Sequence, residues 1–398
     1  MTTKPMFISR RIYPELKKHL EKKQITIITG MRRTGKTTLV RHLLKDISSD
    51  NKAYVDLERL DNRELFSQKN YDNILSELAT RGLSRKEKMY IAIDEIQMLP
   101  AAASVLKYLY DNFDVKFIIT GSSSYYLKNL FSESMAGRKK IFELHSLDFG
   151  EYLDFHNTSY AKNEKWENKK FNPFEYERVK YHYEQYIEFG GFPEVVLAKS
   201  DEEKRDLLSD IVSSYVNIDI KSLADFRNEK NIYNLMRMLA GRIGTKIDYS
   251  KLARLSGLSR PTITSYMDFF EKTYLLQRIP VVSKSPDREI VKAKKLYFCD
   301  NGLLNILSDT NSGSKFENAI FNQLRHYGSI QYYSTKNGRE IDFILNGSLA
   351  LEVKESPLEQ DGKKMEKLGE DIGIEKTRLI GRLNVPNFDN YIWGGEIR

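Results

Sequence analysis

Cysteine is almost missing. Cys299 is the only one in 398 residues. An intrachain disulfide framework is therefore excluded, and a reducing cytoplasm is the expected compartment. The six histidines are scattered, with no H-x₃-H pairing. With a single thiol, that argues against a structural zinc site. No apolar run approaches the ~20 residues that span a bilayer. The stretch from Met1 to Arg11 has no apolar segment of the signal-peptide kind, so no signal peptide and no membrane association are expected. What is present suits globular domains: 40% hydrophobic and 30% charged residues, with length for two to four cores. The net charge of +8 permits a polyanionic partner without establishing one.

The most informative segment runs from Gln24 to Thr38. It reads as a short strand, a loop of the form G-x-x-x-x-G-K-[ST], and a helix striped by Leu39, Val40, Leu43 and Leu44. Such a loop turns backbone N–H groups toward a β-phosphate. Gly30 and Gly35 allow the sharp turns, Lys36 reaches the β/γ-phosphates and the Thr37 hydroxyl ligates Mg²⁺. Arg33, Thr34 and Thr38 complete the nucleotide-binding segment. A second strand, Met89 to Ile93, ends in Asp94-Glu95. Asp94 is placed to hold the Mg²⁺ shell, and Glu95 to orient or deprotonate the attacking water. A third strand, Val115 to Ile119, ends in Thr120-Gly121-Ser122-Ser123-Ser124. Its hydroxyls either sense a γ-phosphate or cap the next helix.

Between these lie a strand from Ala53 to Leu57 and a helical stretch from Leu65 to Leu83. The alternation implies a parallel sheet with helices on both faces and ligand at the carboxyl edge. Arg138 either reaches a γ-phosphate, its own or a neighbour's, or belongs to a solvated basic run.

Asn157 to Phe174 lacks a period and reads as an exposed or mobile insertion. Helical spacing follows from Tyr176 to Ile187 and from Leu207 to Leu239, as in a lid. Tyr249 to Leu255, a turn at Ser256-Gly257-Leu258, and a helix capped by Ser259 and starting at Arg260 form a helix-turn-helix pattern. A strand from Leu275 to Val282 supplies a wing. If this module reads DNA, Arg260, Thr262, Thr264 and Ser265 face the groove; the same fold also serves as a packing module.

Near the C-terminus, Lys315 to Arg325 reads as a helix with Glu317 in its first turn. Strands follow at Ser329–Thr335, Glu340–Leu345 and Leu349–Lys354. A three-residue loop, Asn346-Gly347-Ser348, pairs Leu345 with Leu349 and Phe343 with Leu351, setting all apolar residues on one face. Asp342 then stands opposite Glu352, with Lys354 beside them. Two apposed carboxylates need a cation, and a divalent metal is the natural one. The alternative is a solvated face on which Lys354 pairs with Glu340.

The order of these parts resembles a family of bacterial and archaeal AAA-like P-loop ATPases with a C-terminal restriction-endonuclease-like domain. Gly30-x-x-x-x-Gly35-Lys36-Thr37, Ile93-Asp94-Glu95, Thr120-Gly121-Ser122, Gly190-Gly191-Phe192-Pro193-Glu194 and Tyr297 to Leu303 carry the likeness. Glu317, Asp342 and Glu352-Val353-Lys354 look like the PD-(D/E)xK pattern, although no Pro precedes Asp342. In that pattern Glu317, Asp342 and Glu352 bind the metal and Lys354 assists the water. The expected fold is α/β: a P-loop core (1–156), an insertion and helical lid (157–240), a winged helix-turn-helix (241–310) and an endonuclease-like α/β domain (311–398). The expected cofactors are ATP and Mg²⁺, with Mn²⁺ an alternative at the C-terminal site. The expected activity is ATP hydrolysis coupled to DNA binding and metal-dependent phosphodiester cleavage. The alternative is an ATP-driven regulatory switch that cuts nothing. A homo-oligomer is compatible with either.

Overall fold

The computed structural model describes residues 7–99, 102–122, 137–162, 165–220, 229–283, 293–335 and 337–398. Two compact units emerge: Met1–His145 with Lys272–Tyr274, and Ser146–Glu271 with Leu275–Arg398. Among the described residues no helix is long and apolar enough to cross a membrane.

In the first unit the chain runs through α1 (Tyr13–His19), β1 (Ile25–Thr29), α2 (Lys36–Asp46), β2 (Lys52–Asp56), α3 (Leu60–Phe66), α4 (Tyr71–Thr80), β3 (Met89–Asp94), α5 (Ala102–Asn112), β4 (Val115–Gly121) and β5 (Lys139–Glu143). The strands form a parallel sheet in the order β2-β3-β4-β1-β5. Its apolar residues divide with the two-residue period of a strand. Ile25, Ile27, Ile91, Ile93, Phe117 and Ile119 enter one core with α3, α4 and α5. Ile28, Ala92, Ile118 and Phe142 enter the other with α1 and α2. Helices therefore cover both faces, and near-continuous apolar strands are what a sheet buried on both sides requires. The helical stretch expected from Leu65 to Leu83 holds the end of α3 and the whole of α4. The Asn70 side chain accepts from Asp72 N and starts α4 afresh.

The second unit holds α6 (Phe149–Phe155), α7 (Pro173–Phe189), α8 (Pro193–Leu197), α9 (Asp201–Ser214), a π-helical turn (Tyr215–Ile220), α10 (Glu229–Ala240), α11 (Tyr249–Ser256), α12 (Arg260–Lys272), β6 (Leu276–Ile279), β7 (Lys295–Phe298), α13 (Asn301–Leu307) and α14 (Ser312–Leu324). It continues through β8 (Ile330–Ser334), β9 (Glu340–Leu345), β10 (Leu349–Lys354), α15 (Glu359–Ile372), β11 (Lys376–Gly381) and β12 (Ile392–Trp393).

The segment expected as an exposed insertion is anchored at two points, while most of its other described residues are exposed. Trp166 and Phe171 are buried. Trp166 meets Tyr327 edge-on, Phe171 stacks on Tyr391, and Phe171 N donates to Asp389 O at 3.0 Å. Its polar composition hid two aromatic anchors.

The segments Gly190 to Glu194 and Tyr297 to Leu303 meet in one buried hub. Asp300 accepts from Gly191 N, Gly302 N (both 2.8 Å) and Leu303 N (3.3 Å), while Asn301 Nδ2 donates to Ile187 O at 3.0 Å.

α11, a left-handed Gly257 (φ 69°) and α12 follow in turn, and Thr262 N donates to Ser259 Oγ at 3.2 Å. β6 then pairs with β7 antiparallel. Tyr266, Phe269 and Phe270 are buried, while Arg260, Thr264 and Ser265 are exposed and Thr262 is half-buried.

The last sheet runs β12-β11-β10-β9-β8. Leu349 pairs with Leu345 and Leu351 with Phe343, the register of the three-residue loop. The apolar residues do not share a single face, however. Ile344 and Ala350, one step out of phase, are also fully buried and pack with Leu368 of α15.

Candidate functional site

In the first unit, three strand ends converge because all strands point the same way. The loop after β1 begins at Gly30, whose φ is 158°. A Cβ there would lie 2.1 Å from Leu144 O, so only glycine lets the loop pass. Arg33 (φ 65°) and Gly35 (φ 95°) carry the turn into α2. Thr34 Oγ1 donates to Met31 O at 2.8 Å, and Arg10 Nη1 donates to Thr34 O at 2.9 Å. Arg10 Nη2 reaches His145 O at 2.8 Å and so fixes the outer side of the loop. Lys36 is buried, with Nζ donating to Gly30 O (2.9 Å) and Met31 O (3.0 Å). Thr38 occupies the first turn of α2.

Thr37 Oγ1 donates to Asp94 Oδ2 at 2.7 Å, which joins the loop to the end of β3. Tyr54 OH donates to the same oxygen at 2.5 Å, and Thr120 Oγ1 donates to Asp94 Oδ1. Burial, reinforced by the bond to Asp94, holds the Tyr54 phenol far above its usual range, so it remains a donor. Glu95 has a left-handed backbone (φ 55°), and its N–H donates to Thr120 Oγ1 at 3.0 Å. Gln97 Nε2 donates to the Glu95 carboxylate and, at 3.0 Å, to Ser122 Oγ. Thr120 thus works on the acidic pair. Ser123 and Ser124 lie outside the described residues.

Arg138 does not approach this site in its own chain. Its carbonyl accepts from Ile25 N at 2.8 Å, at the start of β1, and its guanidinium pairs with Asp111 at 3.2 Å. Four residue steps separate Ile25 from Thr29, about 13 Å along the strand. Arg138 is therefore at the opposite edge of the sheet from Gly30.

In the second unit, Glu317, Asp342, Glu352 and Lys354 are brought together, with additions. Lys354 Nζ donates to Glu352 Oε1 at 2.6 Å. The expected alternative, Lys354 with Glu340, is not formed. Glu340 pairs with Lys246 (2.5 Å) and Lys295 (3.0 Å). Lys295 also lies 3.7 Å from Asp342 Oδ1, while Asp342 Oδ2 accepts from Val353 N at 2.9 Å. Tyr297 OH donates to Glu317 Oε1 at 2.6 Å. A Cβ on Gly244 would lie 2.8 Å from either Glu317 oxygen, so that carboxylate is tightly enclosed. Burial and the charge of Asp342 raise the affinity of both Glu317 and Glu352 for a proton. Burial alone would lower the Lys295 pKa, but Asp342, Glu317 and Glu340 outweigh it and hold the ammonium charged.

Residues 22–153 match the model of a family described as "AAA domain". The G-x-x-x-x-G-K-T loop and the Asp94-Glu95 strand end both lie within that match, so this part of the first unit is similar to an AAA domain. Residues 180–314 and 312–387 match two families described as domains of unknown function (DUF8612 and DUF4143). An uncharacterised protein of Methanocaldococcus jannaschii is 27% identical over 89% of this chain and 81% of its own length. Another, from Haemophilus influenzae, is 26% identical over 85% of each. Among solved structures, the Walker-type ATPase PABY2304 of Pyrococcus abyssi aligns with TM-score 0.46 and 15% identity, covering 76% of this chain and 96% of that one. The Aeropyrum pernix ORC1 protein in complex with DNA aligns with TM-score 0.34 and 11% identity, covering 75% and 92%. At these scores neither likeness carries an argument about function.

The first-unit site fits Mg²⁺: a threonine hydroxyl and a carboxylate, both hard oxygen donors, stand 2.7 Å apart at the loop. The acidic cluster of the second unit does not fit a metal in the same way. No three acidic, histidine or cysteine side chains form a metal-holding group among the described residues. Arg10, Tyr54, Gln97 and Lys295 were not singled out from the sequence. Lys295 sits in a run of lysines that reads as solvated surface. Tyr54 lacks a motif and reaches Asp94 only because β2 pairs with β3.

Proposed function

We propose that this chain is a Mg²⁺-dependent ATPase whose nucleotide state is read out as DNA binding by the second unit. The observation that carries it is the Thr37–Asp94 contact at 2.7 Å, with Glu95 next in sequence and tied by Gln97. Mg²⁺ held by Thr37 and Asp94 supplies charge neutralisation at the phosphates. Lys36 adds a fixed positive charge at the loop, and Glu95 orients the attacking water and takes its proton. Thr120 and Tyr54 keep the Asp94 carboxylate oriented by donating to both its oxygens. The DNA reading rests on α12, which presents Arg260, Thr264 and Ser265 outward and turns its aromatics inward.

Two assays test it. Phosphate release from ATP should require Mg²⁺ and vanish in Lys36→Ala. Duplex DNA should bind at low salt and weaken steeply as salt rises. A chain that binds no DNA at low salt would remove the readout and leave an ATP-driven switch with another partner.

A second reading, phosphodiester cleavage, rests on the PD-(D/E)xK-like order of Glu317, Asp342, Glu352 and Lys354 and on the Lys354–Glu352 contact at 2.6 Å, and it requires a metal for which the described residues hold no formed site. There Asp342→Ala should abolish metal-dependent nicking and spare ATP turnover. Equal nicking by wild type and variant would sink it.

A further inference from the structure

Four carboxylates share one small region of the second unit: Glu317 on α14, Glu340 and Asp342 on β9, and Glu352 on β10. Like charges at this spacing require cations. The structure supplies them from its own side chains. Lys295 Nζ lies 3.0 Å from Glu340 Oε2 and 3.7 Å from Asp342 Oδ1, and its side chain is 3% exposed. Lys246 takes the other oxygen of Glu340 at 2.5 Å, and Lys354 takes Glu352 at 2.6 Å. The second oxygen of Asp342 is used by Val353 N, and one oxygen of Glu317 by Tyr297 OH.

We propose that Lys295 is the resident cation of this cluster, and that a divalent metal enters only in competition with it. The physical basis is space as well as charge. Mg²⁺ requires near-octahedral oxygens at about 2.0–2.1 Å, with waters completing its shell. An ammonium bonded to Glu340 and resting against Asp342 fills the gap where such a shell would form. Gly244 closes the approach beside Glu317. Lys295 cannot swing away cheaply. It is in the β6–β7 ladder opposite Ile279, and its ammonium lies over the Tyr332 ring at 5.3 Å. Removing it without replacement would leave half-buried Asp342 without its nearby cation and Glu340 with Lys246 alone. The cluster also combines residues from two family matches: Lys246 and Lys295 fall within 180–314, and the acids within 312–387.

This rests on the second-unit reading above, but its test uses metal binding and no nucleic acid, so the two can fail separately. Mn²⁺ binding to the full chain is measured by electron paramagnetic resonance without nucleotide, in a Thr37→Ala background that disables the first-unit site. With Lys295 in place, that chain should bind little up to millimolar Mn²⁺. Lys295→Met removes a positive charge beside the cluster and should bind one Mn²⁺ per chain at least about 10-fold more tightly, and adding Asp342→Asn should abolish the gain. Equal Mn²⁺ affinity with and without the Lys295→Met substitution overturns the proposal. If Lys295→Met does not fold, thermal unfolding of the Thr37→Ala chain decides. An unchanged midpoint with Mn²⁺ or a chelator supports the proposal. A midpoint raised by Mn²⁺ and insensitive to it in Asp342→Asn overturns it.

Discussion

Glu95 shows how a single side chain can be held ready. Its backbone is left-handed at φ 55°, Thr120 accepts its N–H, and Gln97 donates to its carboxylate. Glu95→Gln keeps the shape and removes the base. ATP binding should persist while turnover falls by roughly 10²-fold or more, checked by nucleotide titration beside phosphate release. His19 offers a second residue-scale test, in pH. It is buried, hydrogen-bonded to Thr26 Oγ1 at 2.8 Å, and its pKa is lowered to about 4 by burial and the nearby Lys116 charge. The folded pKa lies below the unfolded one, so between them the unfolded chain binds more protons. Stability contributed by neutral His19 is intact above about pH 6.5 and lost as pH falls toward 4. Urea unfolding at pH 7 and pH 5 should show a loss of roughly 1–2 kcal/mol from this group. His19→Gln should flatten that slope, and an unchanged slope would refute it.

At the scale of elements, α12 carries a prediction of its own. Arg260→Ala should weaken duplex binding at all sequences and reduce the salt slope by about 1, read by fluorescence anisotropy. The thermal midpoint should stay put, because Arg260 is exposed. This is also where the sequence was most and least legible. The β9–β10 pairs came out as the one-face argument expected, although its premise did not hold, because Ile344 and Ala350 are buried on the other face. The loop after β1 was legible because glycine spacing and Lys36-Thr37 encode one backbone shape. The partners of those motifs were not. Tyr54 and Thr120 meet Asp94 through strand pairing, and Lys295 meets Asp342 through a β hairpin joined to a distant sheet. Such neighbours leave no local period. Trp166 and Phe171 were lost for the same reason, being two anchors in a stretch of polar residues.

The whole molecule comprises two units with separate cores, and heating or denaturant should act on them separately. A nucleotide at about 100 times its Kd should stabilise the first unit by about 2.7 kcal/mol. Trp166→Ala should cost the second unit about 3–5 kcal/mol and leave nucleotide affinity unchanged. Calorimetry with and without ATP and Mg²⁺ separates the two effects, and a drop in nucleotide affinity in Trp166→Ala would contradict the division.

The division is not one cut in the chain. Lys272–Tyr274 belong to the first unit, where Tyr274 OH donates to Thr29 Oγ1 at 3.3 Å, just before Gly30, and lies 3.4 Å from Glu143. During synthesis, a nascent chain that has reached His145 already contains every strand of the parallel sheet. It does not yet contain the phenol that seats on β1 beside the phosphate loop. Completion of the nucleotide unit must wait until roughly 130 further residues, most of the second unit's helices among them, have left the ribosome.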